Sequence, residues 1–201
     1  MAVLGRNGSG KSTLARVMAG LQKPNSGRVR IAAVDVARDR RGALGAVGIL
    51  FQNPDHQIIF PTVREELSFG LTQMGLPKQQ VAERVAQTLA HFGKAAWMDA
   101  AVHQLSQGQR QLVCLMAILA MRPRVIVLDE PFAGVTDDFL PFITAQLNAM
   151  RQQHNILIVT NDHVAALTAL ADNTLTVSAL DWPSSVLFSW AAHKSMPATV
   201  S

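Results

Sequence analysis

At 201 residues, 49% of them hydrophobic, with a formal net charge of +4, the chain can bury one substantial core, and one domain is expected. The single cysteine, Cys114, excludes an internal disulfide framework and suits a reducing compartment. Scattered arginines, only one short basic cluster (Arg38-Asp39-Arg40-Arg41) and no tyrosine argue against a nucleic-acid surface; a longest apolar run of 112–121 and no opening signal peptide leave only a peripheral membrane role.

The first element is also the most informative. Residues 2–4 read as a strand end, and Gly5-Arg6-Asn7-Gly8-Ser9-Gly10-Lys11-Ser12-Thr13 follows, matching the phosphate-binding pattern G-x-x-x-x-G-K-[ST]. Glycines there permit backbone angles that turn successive N–H groups onto one anion. Lys11 is expected to reach the β- and γ-phosphates as a point charge, and the Ser12 hydroxyl to take a Mg²⁺ position. Residues 12–19 read as a helix whose N-terminus favours phosphate.

A turn at 23–27 leads to a strand over 28–33, and 47–51 is a further short strand ending at Gln52. Asn53-Pro54-Asp55 interrupts regular structure. Residues 63–71 read as a helix, and Pro77 opens a longer one to Phe92, closed by Gly93. Its Val81, Val85, Leu89 and Phe92 recur at helical spacing and are expected to pack. Residues 107–121 form a helix that is almost wholly apolar after Gln111, hence buried, and Pro123 stops it.

Residues 125–130 are a continuous apolar strand ending in Asp129 and Glu130, the pattern of a buried parallel strand. A helix over 138–151, a strand over 156–160, a short helix over 164–171 and a last strand over 174–179 complete the pattern. From Asp181 onward nothing patterned to pack is seen, and a loosely attached tail is expected. Strands alternating with helices indicate an α/β fold with a mainly parallel sheet and an inserted helical subdomain. The expected division is a core of 1–52 and 122–180, a helical part of 53–121 and a tail of 181–201.

Three further segments carry chemistry. Asp129 ends a buried strand where parallel sheets bind ligands, and can hold Mg²⁺, while Glu130 can polarise an attacking water. The amide of Gln52 can sense both metal and water. Leu105-Ser106-Gln107-Gly108-Gln109 opens the buried helix, where a hydroxyl and a glycine backbone make a second anion site or an ordinary helix cap.

Together these residues resemble the ATPase cassette of ATP-binding-cassette (ABC) transporters, a P-loop NTPase fold. Residues 5–12 look like its Walker A, Gln52 its Q-loop, 105–109 its signature and 125–130 its Walker B. The resemblance implies ATP and Mg²⁺ as cofactors and a head-to-tail homo- or heterodimer with another such subunit. Each ATP would lie between residues 5–13 of one subunit and Ser106, Gln107, Gly108 and Gln109 of the other. Within the family, Phe51-Gln52-Asn53-Pro54-Asp55-His56-Gln57 and Thr62-Val63-Arg64-Glu65-Glu66-Leu67-Ser68-Phe69-Gly70 resemble energy-coupling-factor importers of vitamins, cobalt or nickel. Residues 105–111 and 129–134 look closest to their biotin-uptake ATPase. That implies a peripheral protein on the cytoplasmic face of the membrane, meeting a transmembrane subunit through residues 53–70, where Ile58, Ile59 and Phe60 are expected to be exposed.

The departures are specific. The family's adenine-stacking strand lies upstream of Met1, which implies an N-terminally truncated cassette. Gln107 stands where the signature has its first glycine, and Val135-Thr136 where the family has Leu-Asp. Asn161 occupies the place of the switch histidine; it can donate a hydrogen bond to a γ-phosphate but carries no positive charge. The alternative is therefore a weakly hydrolysing or non-hydrolysing nucleotide-binding module. ABC ATPases of DNA repair or translation fit less well, since they insert coiled coils or carry two cassettes.

Overall fold

The apolar run at 125–130 forms β5 (Val125–Asp129), in which Ile126, Val127 and Leu128 are completely buried. This is a computed structural model, and it describes residues 2–131, 140–150, 155–160, 174–176 and 199–200. β5 pairs in parallel with β4 (Val47–Leu50) on one side and β6 (Asn155–Thr160) on the other. β1 (Ala2–Leu4) lies between β6 and β7 (Thr174–Thr176), so the parallel sheet runs β4-β5-β6-β1-β7. The register aligns Leu50 with Leu128, Asp129 with Val159 and Leu4 with Thr160. The carboxyl ends of four strands therefore meet along one edge, where ligands of such sheets bind.

α1 (Lys11–Met18) packs Leu14 and Ala15 into a cluster with Val3, Val29, Ile31 and Val127. Expected from the sequence as 28–33, the next strand is shorter and belongs to a second, antiparallel sheet. β2 (Val29–Ile31) pairs there with β3 (Val34–Asp35) and β8 (Thr199–Val200). Ala32 and Ala33, with φ of 51° and 69°, make the two-residue reversal that a primed hairpin turn requires. Of the tail expected over 181–201, only residues 199–200 are described, in that pairing with β2.

The basic cluster turns out to start a helix, α2 (Arg40–Ala46). Asp39 caps it by accepting from the Gly42 N–H at 2.8 Å, while Arg40 and Arg41 donate to the carbonyls of Gly20 and Met74. α3 (Val63–Gln73), α4 (Lys78–His91) and α5 (Gln107–Ala120) follow, and their facing sides share one apolar cluster with β5 and α6 (Leu140–Met150). Val81, Val85, Leu89 and Phe92 are buried as their spacing predicts, and Leu112 to Met116 are fully buried in α5. The substitution at Asn161, the helix over 164–171 and residues 132–139 lie outside the described residues.

Candidate functional site

The loop after β1 closes on itself through a Ser9 N–H to Arg6 carbonyl bond of 3.1 Å. Gly8 and Gly10 have φ of 79° and 92°, the left-handed region that favours glycine, and Gly10 is the residue from which α1 starts. Lys11 is only 5% exposed, and its ammonium donates to the Gly5 and Arg6 carbonyls, both at 2.8 Å. In those contacts the cation is solvated by backbone dipoles. Such a group attracts an anion placed at the loop.

At the far side of α1's first turn, Ser12 Oγ donates to Asp129 Oδ1 at 3.1 Å. Asp129 is also 5% exposed, and burial pushes its carboxyl above the usual carboxylate range, although Ser12, Arg16 and Lys11 each pull the other way. A carboxylate whose charged form is disfavoured in this way gains when a cation approaches. A cavity of about 350 Å³ opens beside the pair, lined also by Arg16, Phe51, Gln52, Asn53 and His56. The donors presented are a hydroxyl, a carboxylate and an amide oxygen, a hard set that fits Mg²⁺. Among the described residues no group of three or more His, Cys, Asp or Glu side chains is placed to hold a metal ion.

Of the expected site residues, the structure brings Ser12, Gln52 and Asp129 to one cavity next to residues 5–13. Glu130 follows Asp129 in the left-handed conformation, φ 50°, which is uncommon for a side-chain-bearing residue. It is not among the residues lining that cavity. Ser106, Gln107, Gly108 and Gln109 do not line it either. Ser106 and Gln109 form a capping box at the start of α5: Gln109 Oε1 accepts from the Ser106 N–H at 2.9 Å, and Ser106 Oγ from the Gln109 N–H at 3.3 Å. Ser106 and Gln107 remain exposed.

Several contacts around the loop after β4 escape a reading of the sequence because they are made across the fold. Gln111, 1% exposed on α5, donates to the Phe51 carbonyl at 3.2 Å. Arg110 pairs with Asp55 at 3.0 Å. The buried Glu66 of α3 accepts from the Ile59 and Phe60 N–H groups at 2.9 and 3.0 Å through one oxygen. The exposure expected for three apolar residues holds fully only for Ile59, at 68%. Ile58 leans on the helical core, and Phe60 stacks obliquely on Phe69 with ring centres 5.2 Å apart. Beside them lies a wider cavity of about 580 Å³ bounded by Asp55, Val102, His103 and Arg110.

Comparison with known proteins gives consistent relatives. Residues 1–133 match the profile of the family "ABC transporter". The "Biotin transport ATP-binding protein BioM" of Rhodobacter capsulatus is 52% identical over 162 residues, 81% of this chain and 68% of that protein. The "Energy-coupling factor transporter ATP-binding protein EcfA" of Methanothermobacter thermautotrophicus is 36% identical over 181 residues, 89% of this chain and 58% of that protein. Among solved structures, cbiO1 of Clostridium perfringens, described as part of the ABC transporter complex cbiONQ, superposes with a TM-score of 0.75 at 34% identity. That match covers 89% of this chain and 72% of the other. The chain thus spans about two thirds of the length of its BioM relative and less of the EcfA relative. With a phosphate loop, a buried strand-end carboxylate and these relatives in agreement, the chain belongs to the ATP-binding proteins of the ABC transporter family.

Proposed function

We propose that the chain binds and hydrolyses ATP as the energising subunit of an energy-coupling-factor importer that takes up a vitamin such as biotin, or a transition-metal ion. The observation that carries this reading is the meeting of Ser12, Gln52 and Asp129 in one cavity beside the phosphate loop. The importer class is supported by the biotin-transport and energy-coupling-factor relatives and by the cbiO1 structure.

In this reading the N–H groups of residues 5–13 cradle the phosphates and Lys11 turns its ammonium from its two carbonyls to the β- and γ-oxygens. Ser12, Asp129 and Gln52 would hold Mg²⁺, which would supply positive charge to offset that developing on the transferred phosphate. Glu130 accepts a proton from the attacking water, and Gln52 and Asn161 orient that water and the terminal phosphate through neutral hydrogen bonds. The exposed Ser106, with Gln107, Gly108 and Gln109, faces the nucleotide of a second ABC subunit, identical or related, so two chains close over two ATP molecules.

Residues 53–70 receive a helix of a transmembrane subunit. The exposed Ile59 next to the 580 Å³ cavity offers the mixture of apolar and charged groups that helix-in-groove contacts use. Among the described residues no helix is long and apolar enough to cross a membrane, in keeping with a peripheral place on its cytoplasmic face. The helical part of 53–121 would then pass motion between the nucleotide and that partner. Asn161 favours a second reading, a cassette that binds nucleotide and hydrolyses it slowly or not at all.

Glu130→Gln removes the base and leaves Asp129, so this variant is expected to bind ATP, lose hydrolysis and accumulate a dimer. Gel filtration with Mg–ATP tests it. A variant that stays monomeric while ATP is bound would count against the two-chain arrangement.

A further inference from the structure

The loop between β4 and α3 contains six polar or prolyl residues at 52–57, and most of them hold the loop itself. Asn53 Oδ1 accepts from the Asp55 N–H at 2.9 Å and starts the single helical turn Pro54–His56. Pro54 is buried. Asp55 pairs with Arg110 of α5 at 3.0 Å, and Gln57 Oε1 accepts from the Phe51 N–H at 3.1 Å. Two side chains of the six, Gln52 and His56, make no hydrogen bond or ion pair among the described residues, and both line the cavity of Ser12 and Asp129.

His56 is therefore not a loop-building residue. Its backbone is fixed on both sides, with its N–H on the Asn53 carbonyl at 3.1 Å and the Gln57 N–H on that of Pro54 at 2.9 Å. With the backbone pinned, only the side-chain rotamer of this cavity-lining imidazole remains to be ordered when it makes a contact. The other cavity groups make the ligand's chemistry specific. Arg16 is cationic, Gln52 is neutral, and the single acid, Asp129, is engaged by Ser12. An imidazole N–H in a cavity that Arg16 also lines faces an anion more favourably than a cation or an apolar group.

We infer that His56 contacts the terminal phosphate of a bound nucleoside triphosphate from the cavity of Ser12 and Asp129, and so lets the chain tell a triphosphate from a diphosphate. This rests on the phosphate-loop reading, because a nucleotide held at residues 5–13 is what brings a third phosphate towards the cavity. It assigns to the loop after Gln52 a specificity role that does not depend on residue 161.

The test measures affinities of the intact chain for the Mg²⁺ complexes of a non-hydrolysable ATP analogue and of ADP, by titration calorimetry, for the wild type, His56→Ala and His56→Gln. His56→Ala is expected to weaken the triphosphate analogue about tenfold, the worth of one hydrogen bond to a charged group, and to change ADP less than about twofold. His56→Gln, which retains an N–H donor, is expected to recover most of that loss. An equal loss for both nucleotides would make His56 a merely structural residue and overturn the inference, as would no loss for either. Binding of ADP by the wild type reads the phosphate loop separately. A wild type that binds neither nucleotide would remove that reading and this inference with it.

Discussion

Ser12 and Asp129 are joined by a 3.1 Å hydrogen bond that spans 117 residues of sequence and links the start of α1 to the end of β5. Without a cation this contact does not fully offset the burial of the carboxylate, which keeps the Asp129 carboxyl above its ordinary range. The folded chain therefore holds the carboxyl proton to a higher pH than the unfolded chain does, and folding is penalised once the pH rises far enough to ionise Asp129 in the unfolded chain.

Asp129→Asn is accordingly expected to stabilise the ligand-free protein, by about 2–4 °C in melting temperature if the relief is on the order of 1 kcal/mol. The gain should be smallest at low pH, where the acid is protonated in both states. It should widen as the pH climbs through the carboxylate range and then level off. The same variant should lose the extra stabilisation that Mg²⁺ gives over nucleotide alone. Thermal melts across pH check both parts, and a pH-independent difference would argue against burial as the cause.

Gly48 of β4 sits directly under α5. A methyl group added there would run into Ile118 Cγ2 and come within 3.2 Å of Pro123 Cγ. Ile118 is β-branched and 3% exposed, so it has little room to turn away. Gly48→Ala should cost about 1–3 kcal/mol through overpacking, with no direct effect on the phosphate loop. Chemical denaturation measures the cost. Unchanged stability would mean that the α5–β4 contact is looser than the structure has it.

What the sequence makes legible here follows from how local each signal is. The phosphate loop and β5 are read correctly because each depends on neighbours in the chain: glycines that set φ, and an apolar run that has to be buried. α4 is read correctly because Val81, Val85, Leu89 and Phe92 carry the helical period. α2 is not, because Arg40-Arg41-Gly42 has no apolar period and its stability comes from the Asp39 cap and from Arg40 reaching Gly20. The strand at 28–33 is recognisable as a strand, but its antiparallel partners depend on Ala32 and Ala33 adopting positive φ and on residues 199–200 returning to it. In the site, Gln52 and Asp129 stand at strand ends and are legible. His56 is not, because only the folded loop reveals that Asp55 and Gln57 are occupied while it is free. Asn161 and the segment after Pro131 lie outside the described residues, so their place in the site stays with the proposal.

In the proposed function Lys11 supplies the charge that the phosphates meet, from a buried position where its ammonium donates to the Gly5 and Arg6 carbonyls. Titration of Mg–ATP into the intact chain and into Lys11→Ala, with melting curves to show that both are folded, isolates that charge. The expected result is a loss of about 2–3 kcal/mol in binding, on the order of a hundredfold in dissociation constant, and no detectable hydrolysis by the variant. Equal affinity and equal turnover in two folded proteins would contradict a nucleotide site at residues 5–13.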